Sequence, residues 1–231
     1  MGQTWCDLLF AHWRVPAEEL RRVAPPELPL DTYDGSAWLG VTPFFVRGLR
    51  LRGTAPAPRL SSFPEINVRT YVEVGGKPGI YFLSLDAASW PAVLAARRSY
   101  RLPYFRSRIV AGAEGHRVAY DATRISGDGP PARFEARYGP DGPPLSVRPG
   151  SLERWLTERY CLFTLDEERR IHRGDIHHLP WRLRPGWAEI ETNTMAMPFD
   201  IAIQGDPLLH FSSRQDVVIW RIRPADASPS A

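Results

Sequence analysis

The sequence predicts an α+β fold, rich in short strands and poor in helices. Three observations lead there. The 23 prolines and 18 glycines of the 231 residues are spread along the whole chain, which calls for many short elements joined by turns. Several segments alternate apolar and polar residues with the period of a strand. Helical signals are confined to a few short stretches. Apolar residues make up 43% of the chain and charged residues 24%, enough for a sizeable core under an ordinary polar surface. One domain over residues 1–223 is expected, with 224–231 as a disordered tail.

Taken in order, Trp5 to Val15 reads as a strand. A short helix follows from Pro16 through Val23, with proline at its start and Pro25-Pro26 as its stop. Leu28 to Thr32 is expected to be a second strand, turned at Asp34-Gly35, and the apolar run Ala37 to Val46 a buried third one. After a polar loop over Gly48 to Ser62 comes Phe63 to Val74. Its alternation puts Glu65, Asn67, Arg69 and Tyr71 on one face and Ile66, Val68, Thr70 and Val72 on the other. Gly75 to Gly79 is the turn of a hairpin that returns along Ile80 to Leu85.

Ser89 can cap a helix running to about Arg101, stopped by Leu102-Pro103. Tyr104 to Ala111, His116 to Arg124 and Arg133 to Tyr138 look like successive strands. Ser151 caps a further helix to Glu158, and several short strands complete the chain to Arg223. Few helices among many antiparallel hairpins suggest a barrel or a sandwich.

Charge and motif content exclude several function classes. The net charge is only +3, Lys77 is the sole lysine, and the arginines are interleaved with acids rather than massed on one face. No nucleic-acid partner is expected. Cys6 and Cys161 form no ligand spacing and are expected as free thiols. No established zinc spacing is present, so neither metal nor cofactor is expected. The first residues lack a basic segment followed by an apolar run, and no apolar stretch reaches membrane-spanning length. A cytoplasmic protein without a membrane partner is the expectation.

The runs Phe10-Ala-His-Trp, Asp31-Thr-Tyr-Asp-Gly, Phe63-Pro-Glu-Ile-Asn-Val-Arg-Thr-Tyr, Ser84-Leu-Asp-Ala, Leu102-Pro-Tyr, Leu156-Thr-Glu-Arg-Tyr, Arg173-Gly-Asp-Ile-His-His-Leu-Pro-Trp and Asn193-Thr-Met follow one another along the chain. In that order they resemble the YqjF-like family, which in turn resembles the acetoacetate decarboxylases. The resemblance implies a β-rich acetoacetate-decarboxylase-like barrel with a few short helices, and self-association into a homo-oligomer. Glu65 matches an acid of the decarboxylase active site. Where the decarboxylases follow a proline with two lysines, this chain has Pro103-Tyr104-Phe105, and Arg98 replaces a nearby acid. Tyrosine cannot form an imine with a ketone. Lys77, in a Gly-Gly-Lys-Pro-Gly turn, is held in solvent and is no substitute. Decarboxylation through a Schiff base is therefore not expected.

The candidate catalytic residues are Glu65, as a general acid or base raised towards neutrality by burial, and Tyr104, as a donor to a ligand oxygen. Asn67 and Arg69 share the face of Glu65, with Arg69 about 13 Å further along the strand. The resemblance favours that face as the inside of a barrel, hence a pocket wall. Arg97 and Arg98 are adjacent and cannot share a helix face, so one of them, taken as Arg97, can anchor an anion. His177 and His178 point to opposite faces of a strand, so only one can serve a site, and His177 is the candidate. Asn193 is either a polar ligand or a turn residue. These residues suggest a small-molecule enzyme acting on a carbonyl or carboxylate compound. The competing readings are a non-catalytic ligand-binding protein and an oligomeric scaffold.

Overall fold

Long alternating segments make strands that continue well past their apolar centres. In the computed structural model, which describes residues 1–225 apart from 52, 58, 59, 126 and 128, the chain begins with β1 (Gly2–Val15) and α1 (Ala17–Val23). It goes on through β2 (Ala37–Arg50), β3 (Phe63–Val74), β4 (Lys77–Ala87) and α2 (Trp90–Tyr100). Next come β5 (Tyr104–Glu114), β6 (Arg117–Arg124), β7 (Arg133–Pro140) and α3 (Leu152–Thr157). The chain continues through β8 (Cys161–Leu165), β9 (Ile171–His177), β10 (Arg184–Asn193), β11 (Leu208–Ile219) and β12 (Arg223–Pro224). Both β1 and β2 outrun their expected bounds. A break in register at Asp7, whose φ is +48°, lets β1 bend and still keep both neighbours.

Strand pairings form two closed circuits that share β4, β3, β2, β1 and β11. In the first, β11 pairs with β9, and β9 returns through β8 to β4. In the second, β11 continues through β10, β7 and β6 to β5, which pairs with β4. Along their central stretches β1, β2, β3 and β4 are buried on both faces. Ile66 and Val68 of β3 enter a large apolar core with Leu9, Val41, Tyr120 and Phe134. The opposite face of β3 carries Glu65, Asn67, Arg69 and Tyr71, and all four are buried. That face therefore points inward, as the resemblance implied.

The β4–β5 joint is parallel, pairing Leu85 with Tyr104, Asp86 with Phe105 and Ala87 with Arg106. Parallel neighbours need a crossover, and α2 provides it. Pro91 stands in its first turn, and Arg101 ends it in the left-handed region at φ +52°.

Several expectations need correction. Leu28 to Thr32 forms a single bridge, Leu30 to Val72, in place of a strand, because Pro29 lacks the donor a ladder requires. Ser89 precedes α2 but its side chain makes no cap bond, whereas the Ser151 hydroxyl accepts from the Arg154 amide as expected. Arg223 and Pro224, the latter expected to open the tail, pair with Arg173 and His172. The rest of that tail, residues 226–231, lies outside the described residues. Cys6 and Cys161 are free thiols, and Lys77 is exposed in its turn. No helix among the described residues is long and apolar enough to cross a membrane.

Gly79 shows how tightly the first circuit closes. A Cβ there would lie 2.6 Å from Phe163 Cε2 and 2.9 Å from the Cys161 carbonyl oxygen. Gly79→Ala is expected to destabilise the protein by about 1–3 kcal/mol, read as a lower urea midpoint with unchanged slope. A midpoint equal to wild type would show that β4 and β8 are not in this contact.

Candidate functional site

The parallel joint sets Tyr104, the first residue of β5, beside Leu85, while Glu65 of β3 pairs with Ala87 of β4 and Phe44 of β2. The two side chains meet. The Tyr104 hydroxyl donates to Glu65 at 3.1 Å from Oε2 and 3.3 Å from Oε1. Glu65 is only 5% exposed, and no ion pair to it is formed among the described residues. Burial pushes its carboxyl up to about 8; the Tyr104 hydrogen bond opposes this and the nearby Asp86 charge adds to it. Burial likewise raises the Tyr104 phenol well above its usual range, helped by Glu65. At neutral pH the pair is thus mostly an uncharged carboxyl beside an uncharged phenol, able to give a proton or, once ionised, to take one.

Behind this pair stands a buried ion pair. Arg124 of β6 grips Asp86 of β4 through Nε to Oδ1 at 2.8 Å and Nη2 to Oδ2 at 2.7 Å, and Ser107 of β5 donates to Oδ1 at 2.7 Å. Sequence reasoning missed it. The available signal was an acid at the end of the apolar run Ile80 to Ala87, which a fold buries only with a partner. Arg124 also lies 4.0 Å from the centre of the Phe105 ring. Phe105, in the place of the second lysine implied by the resemblance, therefore packs under a guanidinium already bound to Asp86.

Of the arginine pair, Arg97 is half-buried and Arg98 exposed. Arg97 Nε donates to the Tyr104 carbonyl at 2.5 Å, so this group holds the backbone under the catalytic candidate. Arg97 also lines a hollow of about 500 Å³ with Arg101, Asp166 and Arg170.

Asn67 and Arg69 share the inner wall with Glu65, as expected from alternation. Two other candidates do not join it. His177 is exposed at the end of β9. Its neighbour His178 is the buried one, stacked on Tyr160 at 4.6 Å and bonded through Nδ1 to the Leu179 carbonyl, a structural role. Asn193 ends β10 opposite Phe134, in the other core, and its side-chain oxygen accepts from the Met195 amide. It is a turn residue.

Distant runs converge on this wall. Tyr71 shares a hydrogen bond with His12 Nε2 at 2.7 Å. Arg159 bonds Asp31 at 2.6 Å and stacks 4.9 Å from the Tyr71 ring centre. Sequence reasoning assigned no partner to Asp31 or Arg159, since nothing local links residues 128 apart. Among the described residues no group of three or more His, Cys, Asp or Glu side chains is placed to hold a metal ion.

The raised carboxyl makes stability depend on pH. Folded Glu65 keeps its proton up to about 8, while the unfolded chain releases it near the ordinary 4.5. Between those values the native state binds more protons, so stability falls as pH rises, by up to about 1.4 kcal/mol per pH unit, and the contribution is gone above 8. Urea midpoints measured from pH 5 to pH 8 are expected to fall, and Glu65→Gln to flatten that slope. A wild-type slope that Glu65→Gln leaves intact would place the titration elsewhere.

With this geometry in hand, comparisons place the chain among known proteins. Residues 2–216 match the DUF2071 family of uncharacterised conserved proteins. The uncharacterised protein YqjF of Bacillus subtilis is 44% identical over 224 residues, 96% of this chain and 91% of YqjF. Among solved structures, the enduracididine biosynthesis enzyme MppR, complexed with the condensation product of pyruvate and imidazole 4-carboxaldehyde, superposes with a TM-score of 0.65 at 13% identity, covering 96% of this chain and 88% of its own. Acetoacetate decarboxylase from Legionella pneumophila gives 0.60 at 14% identity, covering 98% and 89%. An acetoacetate decarboxylase-like enzyme from Sphingomonas wittichii RW1 gives 0.56 at 14%, covering 96% and 93%. At such identities the structural likeness concerns the fold. By its match over nearly the whole length, the chain belongs to the DUF2071 family, is a relative of YqjF, and carries the acetoacetate-decarboxylase-like fold.

Proposed function

We propose that the protein is a lysine-independent enzyme that moves a proton at the carbon next to a carbonyl group in a small molecule. The observation that carries this reading is the Tyr104 hydroxyl on a dry Glu65 carboxyl whose ionisation lies at about 8. When a carbonyl compound enters, the Tyr104 hydroxyl turns from Glu65 to the carbonyl oxygen. Ionised Glu65 then takes the α-proton; the C–H bond breaks and its electron pair moves to the oxygen as an enolate held by the phenol. Return of a proton from solvent to the same carbon completes an exchange of the α-proton, and capture of the enolate by a second carbonyl would form a carbon–carbon bond. The names of the solved neighbours, MppR with a pyruvate condensation product and acetoacetate decarboxylase, support a carbonyl compound as the ligand class. Neither lysine of the resemblance is present at 104 and 105, so no imine step enters.

The test is deuterium uptake. In heavy water, proton NMR of a panel of small ketones and 2-oxo acids is expected to show enzyme-dependent loss of the α-proton signal for at least one compound. The rate should rise with pH and level off above about 8, as Glu65 ionises. Glu65→Gln should lower it by at least about 100-fold and Tyr104→Phe by about 100- to 1000-fold. No uptake above the buffer rate across the panel, or uptake indifferent to Glu65→Gln, would leave a binding protein in place of an enzyme.

A further inference from the structure

Among the described residues four arginines are buried, and three of them have an acid. Arg124 is paired with Asp86, Arg159 with Asp31 and Arg173 with Asp175. Arg69 is the exception: it is 7% exposed, its Nε has no hydrogen-bond partner, and no ion pair to it is formed among the described residues. Its surroundings are aromatic or uncharged. The guanidinium lies 5.1 Å from the centre of the Phe10 ring and donates a side-chain hydrogen bond to the Tyr71 hydroxyl, a neutral partner, and burial together with Arg69 and His210 holds His12 neutral. A cation kept from water without a counter-charge is among the least favourable arrangements a protein interior can hold.

The wall around Arg69 is closely packed and rich in polar groups. Gly40 lies between His12 and Arg69 in register, and a Cβ there would stand 3.1 Å from His12 Cδ2 and 3.4 Å from Arg69 Cγ. Glycine therefore lets the two side chains close over the strand. Further buried polar atoms on the same wall have no partner: His12 Nδ1, Thr42 Oγ1, Asn67 Oδ1, His210 Nδ1 and Ser212 Oγ. Thr42 stands opposite Asn67, and His210 opposite Phe10. Native interiors leave few such atoms, and a cluster of them beside an unpaired cation marks a place for a polar ligand group. Beside these polar groups runs an aromatic chain from Phe10, next to Arg69, to Phe44, opposite Glu65. Phe10 meets Trp181 at 4.9 Å, Trp181 stacks on Trp5 at 6.0 Å, and Trp5 meets Phe44, the strand partner of Glu65, at 5.6 Å.

We propose that Arg69 is the carboxylate anchor of this site, taking the acid group of an organic monocarboxylate whose flat apolar body lies on the wall formed by Phe10, Trp181 and Trp5. The anchor stands by itself. Its use in delivering a carbonyl to Glu65 and Tyr104 rests on the function proposed above.

Benzoate and phenylacetate are the probes, with benzamide and phenylacetamide as neutral counterparts. The two acids are expected to raise the melting temperature of the wild-type protein and to shift the Arg69 Nε–H resonance, and the amides to do neither. Arg69→Met should weaken binding of the acids by roughly ten- to hundredfold. Without any probe, the same variant should melt at or above the wild-type temperature, because it removes an unpaired buried charge. Should that variant not fold, the wild-type resonance alone decides. The proposal is overturned if neither acid binds, if acids and amides bind alike, if chloride shifts the resonance equally, or if Arg69→Met binds the acids as wild type does. Glu65→Gln should keep the anchor, so acids bound without deuterium uptake by any compound would remove the proposed reaction and leave the anchor. Uptake by neutral ketones without binding of acids would do the reverse.

Discussion

Three residue pairs between β4 and β5 hold the candidate site together. They are parallel, and a parallel pair cannot be made by a tight turn, so α2 must carry the chain over the sheet and set it down again at Tyr104. Everything at the site follows from where β5 begins. The Tyr104 hydroxyl reaches Glu65 because its backbone lies against Leu85, and Arg97 reaches back from α2 to hold the Tyr104 carbonyl. The joint is short, but the Asp86–Arg124–Ser107 cluster ties β4, β6 and β5 to one another just behind it. Removing either charge would leave the other buried alone, and that asymmetry keeps the three strands in one register.

The same joint explains the proton held by Glu65. By resemblance, this place in the fold otherwise carries two lysines, and cations beside a buried acid keep it ionised. Here the two positions hold a phenol and a phenyl ring, and the nearest guanidinium in that layer, Arg124, is matched by Asp86. Burial outweighs the one interaction that opposes it, the Tyr104 hydrogen bond, so the carboxyl rises to about 8. With aromatics at 104 and 105 no imine nucleophile stands there, and Glu65 is a group that titrates near neutrality.

Much of this was legible because it is local. The period of two in Phe63 to Val74 put Glu65, Asn67 and Arg69 on one face, and the Gly-Gly turn fixed the hairpin that follows. What remained hidden depends on long-range placement. The partner of Asp86 is 38 residues away and that of Asp31 is 128 away, and no spacing rule connects them. His177 and His178 are expected on opposite faces of a strand, but β9 ends at His177, and His178, just past it, is the buried one. Asn193 satisfied the chemistry of a ligand and of a turn equally well; its strand runs along the other core. Leu28 to Thr32 had strand-like residues, but Pro29 limits it to one bridge.

The central position of β1 has a consequence for how the chain reaches this structure. Gly2 to His12 pairs with Val218 back to Leu208, so one flank of the first strand is completed by a segment some 200 residues later. During synthesis β1 can find β2 early, but its other edge stays open until β11 has been made. An open edge of this length is a template for pairing with other chains, and contacts so distant in sequence form slowly. Both circuits run through the β1–β11 seam, so neither core is sealed before it closes. The wall bearing Arg69 and Glu65 is therefore among the last parts of the molecule to become dry, and their unusual electrostatics come into being only with that final pairing.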